Sequence, residues 1–108
     1  MASDGYFFSR STKNVSDVNT TIYTSTSDST IILSILVANT STNATDINCS
    51  LLDASDVVKS QIANTITVPI SSNVDLVGNK LILSSGNKLR ISTSTSGSCD
   101  LTLSFVEV

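Results

Sequence analysis

The chain has 108 residues, enough for one domain with a thin core. Charged residues make up 14% of it, the net charge is −3, and its six Lys and Arg are scattered, which excludes the basic track that nucleic-acid binding needs. Ser and Thr number 35, but hydrophobic residues are 40% of the chain and recur with period two between the polar ones, which excludes disorder.

Residues 1–15 read as an N-terminal arm and residues 16–108 as the folded domain. The arm, "MASDGYFFSRSTKN", holds Tyr6, Phe7 and Phe8, three of the chain's five aromatics, in a polar context with Arg10 and Lys13. These aromatics either pack back on their own core or anchor the chain to a neighbour, with Arg10 and Lys13 at the polar rim. "DVNTTIYT" (17–24) is a weakly alternating strand with Ile22 inward.

"TIILSILVANTS" (30–41) is the most apolar stretch. It is far short of the roughly 20 apolar residues of a bilayer-spanning helix. The "MASDGYFFSR" start carries an acid and lacks the apolar run of a signal peptide. A β-branched run ending in turn residues is a strand. Strict alternation puts Ile31, Leu33, Ile35 and Val37 on one face and Ile32 and Leu36 on the other, so both faces call for cover.

"TDINCSLLD" (45–53) alternates cleanly, with Ile47, Cys49 and Leu51 inward; "ASDVVKS" is a bend. "QIANTITVPIS" (61–71) puts Ile62, Ile66, Val68 and Ile70 on one side, with Ile66 and Val68 inward, and Pro69 marks an edge or an end. A short strand then leads through a Gly78-Asn79 turn to Leu81–Leu83, and a Gly86-Asn87 turn to Leu89 and Ile91. The last strand, "SCDLTLSFVEV", points Cys99, Leu101, Leu103 and Phe105 inward. Seven or eight short strands with regular turns predict an all-β fold. It is a single antiparallel β-sandwich, Ig-like or jelly-roll-like, behind an N-terminal arm.

Chemistry-bearing patterns are missing. No histidine is present to act as a general base, and no serine sits in a nucleophile elbow, so no catalytic residue and no enzyme activity are predicted. No cofactor or metal site is predicted either. Asp53 and Asp56 in "LLDASD" lack the remaining ligands of a calcium loop and read as an ordinary turn. Cys49 and Cys99 read as small buried hydrophobes, and a disulfide between facing sheets stays open. Five glycosylation sequons, at Asn14, Asn19, Asn39, Asn43 and Asn48, are read as accidents of a Ser- and Thr-rich chain without a signal peptide.

"GYFFSRSTKN", "TTIYTSTSDSTIILSILVANTS", "ITVPISSNVDLVGNKLILSSGNKLRIST" and "DLTLSFVEV", in that order, resemble a group of small virion proteins of tailed phages of the marine and cyanobacterial type. The family often has Val-Pro where this chain has Ser25-Thr26, and Asp where it has Asn87; both positions are turns. The resemblance implies a structural virion protein, assembled in the host cytoplasm, that decorates or cements the capsid shell. It also implies a homo-oligomer, a trimer being favoured, with the major capsid protein or another virion protein as partner and with no nucleic acid or membrane partner. A neck or tail component is the alternative, and a secreted adhesion-type sandwich a further one.

Overall fold

A computed structural model describes residues 6–78 and 80–108. Residues 1–5 of the expected arm, and Asn79 of the expected Gly78-Asn79 turn, lie outside the described residues. Nine strands and no helix occur among those described: β1 (Tyr6–Thr12), β2 (Thr20–Thr24), β3 (Ser29–Asn39), β4 (Thr45–Leu52), β5 (Val58–Val68), β6 (Asn73–Asp75), β7 (Leu81–Ser84), β8 (Lys88–Thr93) and β9 (Cys99–Glu107).

They form two antiparallel sheets. The first runs β1-β9-β3 and then β6 and β7 side by side on β3; the second runs β2-β8-β4-β5. β7 pairs with Ser29–Ile32 and β6 with Leu36–Ala38, so the two behave as one strand broken in its middle. Asp75 closes the break: its Oδ1 accepts from the Ile35 N–H at 3.1 Å and the Val77 N–H at 3.0 Å. With β6 and β7 counted as one, eight strands visit the sheets in the order first, second, first, second, second, first, second, first. That is the path of a jelly roll, two Greek keys closed on each other. Of the two sandwiches expected, the topology selects this one.

The core lies between the sheets. Ile35, Ile47, Cys49, Val68, Leu83, Leu89, Ile91, Leu101, Leu103 and Phe105 are buried in it, in the phase predicted from alternation. Ile22, Leu51 and Leu81 pack against it half-buried. Two predicted inward residues are exposed. A β-bulge between Ile32 and Ser34 reverses the phase of β3, so Ile32 is fully buried and Leu33 is 36% exposed. Ile66 lies opposite buried Ile47 but on the outermost strand, and stays 40% exposed. A second bulge, in β2, seats Tyr23 opposite Leu89 in the core.

The segment expected as an arm is, from Tyr6 to Thr12, the edge strand of the first sheet, in register along β9. Val15 is buried, and its N–H donates to the Cys99 carbonyl at 2.7 Å. The physical reason is alternation within the segment itself, which sends Phe8 and Arg10 to the inner side. Cys49 and Cys99 are both buried and unbonded.

Candidate interaction surface

No pocket opens among the described residues, and no three His, Cys, Asp or Glu side chains among them converge as a metal site. Asp53 and Asp56 serve their turn. Asp53 Oδ1 accepts from the Ser55 and Val57 N–H groups at 2.8 and 3.0 Å. Asp56 pairs with the Lys88 ammonium at 2.6 Å.

The predicted partner-binding residues separate by strand phase. Phe8 stacks on Phe105, centroids 5.5 Å apart, and the Arg10 guanidinium lies 5.4 Å from the centre of the Tyr23 ring and 5.9 Å from that of Phe105. These two side chains close the open edge of their own sandwich, through stacking and cation–π attraction. Phe7 is 79% exposed on the outer side, and Lys13 is exposed just past the strand. Tyr6 is held opposite Glu107 by the strand pairing.

Beneath that edge is a polar group that alternation did not foretell. The Tyr23 hydroxyl donates to Glu107 Oε2 at 2.5 Å and lies 3.0 Å from Thr30 Oγ1, which in turn is 2.9 Å from Ser25 Oγ. Burial, with Glu107 second, raises the Tyr23 phenol above its ordinary value. The arrangement satisfies a buried hydroxyl and fixes β2 against the ends of β3 and β9. Its signal in the sequence was an aromatic one residue out of phase with Ile22, and only the bulge gives that signal its meaning.

The two outer faces of the sandwich differ. On the second sheet the outward side chains are mostly polar, among them Asp46, Asn48, Thr67 and Arg90, with Val58, 40% exposed opposite Leu52, at one end. On the first sheet, direct cross-strand partners form an unbroken apolar row, Phe7–Val106–Ile31–Ile82, across β1, β9, β3 and β7. Ile82 is 65% exposed; Leu33 lies beside the row, and Leu36 lies further along β3 on the same face.

No protein-family model and no curated protein matches the sequence. Among solved structures the chain is similar to VP2 of infectious bursal disease virus. In the crystal structure of the VP2 subviral particle the match covers 97% of this chain at 16% identity, with a TM-score of 0.54. In the structure of the virus's Gx strain it covers 96% at 16% identity, with a TM-score of 0.52. This chain spans 33% and 31% of the lengths of those chains. Likeness at that identity shows the fold: the jelly roll of this chain is one that a viral protein also uses.

Of the sequons, Asn39 is buried. Its Nδ2 donates to the Asn43 and Val68 carbonyls at 2.8 and 3.0 Å, and its Oδ1 accepts from the Ser41 N–H at 2.9 Å. A glycan there would take one of the two Nδ2 hydrogens that make these bonds, at a side chain that is buried. Asn14, Asn19 and Asn43 are exposed and Asn48 is half-buried.

Proposed function

We propose that this chain is a structural protein of a virus particle that decorates or cements the outer capsid shell. The observation that supports it most is the jelly-roll path shared along nearly the whole chain with a protein of a subviral particle. The tailed-phage setting rests on the sequence resemblance alone. A small rigid sandwich suits the task, since a shell offers many identical sites and weak contacts add up over them. The outer side of β1, with Phe7 and with Lys13 just beyond it, meets a neighbouring subunit, while Phe8 and Arg10 hold that strand in place.

The test is to purify particles from infected cells and look for the chain in them by mass spectrometry and by cryo-electron microscopy. The expected result is a fixed stoichiometry relative to the major capsid protein and density on the outside of the shell. Density at the neck or tail would move the protein within the virion. A chain absent from purified particles, or one carrying glycan mass at Asn14, Asn19 or Asn43, would overturn the reading in favour of a secreted module.

A further inference from the structure

We infer that the outer face of the first sheet is a self-association surface that packs on the same face of a second copy of this chain. The apolar run of β3 asked for cover on both sides. The sandwich supplies it on one only: Ile32, Ile35 and Val37 are fully buried, whereas Leu33 and Leu36 are 36% and 39% exposed. Phe7, Val106, Ile31 and Ile82 extend that uncovered surface across four strands.

Area and charge both select a second copy as the occupant. Large side chains present roughly 150–250 Å² each when free, so the exposed parts here add up to on the order of 400 Å² of apolar surface. That is the size of a patch that does a job on a monomer. At the apolar fraction usual for interfaces it corresponds to a footprint of about 700 Å², close to the ~800 Å² per partner of a standard interface. Between the apolar positions the face carries short hydroxyls, Ser9, Ser104, Ser34 and Thr102, which both donate and accept and so complement themselves. The two carboxylates among the described residues of this face, Asp75 and Asp100, lie at the end remote from the row, on the lines through Leu36 and Ala38.

A two-fold axis along the apolar row brings row onto row and sends the carboxylates of the two copies to opposite sides of the contact. Like charges then never face each other. The contact is isologous and closes as a dimer; a trimer would need two different surfaces. The inference does not depend on where the protein works.

Sedimentation equilibrium of the full chain tests it, over roughly 1 to 100 µM, where a modest interface of this size dissociates. The expected species is a dimer. Ile82→Lys, at a position 65% exposed, should weaken it by at least ~10-fold, with an unchanged thermal melt at a dilution where both proteins are monomeric. Phe7→Ser is the second variant, with the same expectation. Ile82→Cys should oxidise to a covalent dimer, while Thr67→Cys on the outer face of the second sheet should not. A monomer across the whole range, a trimer, or a dimer that neither variant weakens would overturn the inference. A monomer bound to particles would leave the virion reading standing, and a dimer missing from particles would do the reverse.

Discussion

Leu103 is fully buried opposite Ile35, and Leu33, two positions before Ile35 in the same strand, lies outside. Alternation alone places all three inward, and a single inserted residue in β3 separates them. Leu103→Ala should cost roughly 2–5 kcal/mol in urea unfolding, as large-to-small core changes do, and Leu33→Ala less than about 1 kcal/mol. A cost at Leu103 within ~0.5 kcal/mol would mean that the inward phase of β9 is wrong. The ionisable groups of the core give a second residue-scale expectation. Burial pushes the Cys49 thiol from 9.0 up to about 12, and it also raises Cys99 and the Tyr23 phenol. Each stays protonated in the folded chain after its unfolded counterpart has ionised. The stability that buried Cys49 permits is whole below about pH 9 and falls through the window from there to about 12, and Cys99 and Tyr23 act in the same direction. The urea midpoint should hold steady from about pH 7 to 8 and drop above 9, and Cys49→Ala should soften that drop. A midpoint that rises with alkali would contradict the burial of these groups.

At the level of elements, alternation was readable wherever a strand is regular. β8 and β9 keep strict period two, and each of their expected inward residues is buried. Bulges were not readable, because an extra residue is announced by pairing with the neighbouring strand and not by the strand's own composition. β1 shows the same limit from another side. Its three aromatics suggested a detached arm, yet its alternation sends Phe8 inward and Phe7 outward. Phe8→Ala should therefore cost roughly 1–2 kcal/mol and Phe7→Ala almost nothing in a thermal melt of the monomeric protein. The break between β6 and β7 carries a further expectation. Asp75→Ala leaves the Ile35 and Val77 N–H groups without their acceptor and should cost about 1–3 kcal/mol, read from the urea midpoint. Nothing in "NVDLVGNK" marked that aspartate as different from the others in turns.

For the whole molecule, the all-β sandwich followed from period two and turn spacing, but the choice of jelly roll did not. Side-chain period tells which face of a strand is wet, and it is silent on which strand lies alongside. The candidate surface was half visible: Phe7 drew notice as part of an aromatic cluster, while its row partners Val106, Ile31 and Ile82 come from three distant parts of the chain. Removing residues 1–13 deletes β1 entirely, so the truncated protein should melt at a lower temperature and load poorly onto particles. If it melts like the full chain, β1 is not part of the stable sandwich.

The pairing of Tyr6 with Glu107 also sets how this fold can be combined with others. The ingoing and outgoing strands run side by side in opposite directions, so the polypeptide leaves the sandwich at the corner where it arrives. A module built that way can be spliced into a surface loop of a host protein without prying the loop apart, because both junctions fall within a strand spacing of about 4.8 Å. For the same reason a short peptide joining the two ends, with a new opening cut in the exposed turn at 54–56, yields a rewired chain of identical shape.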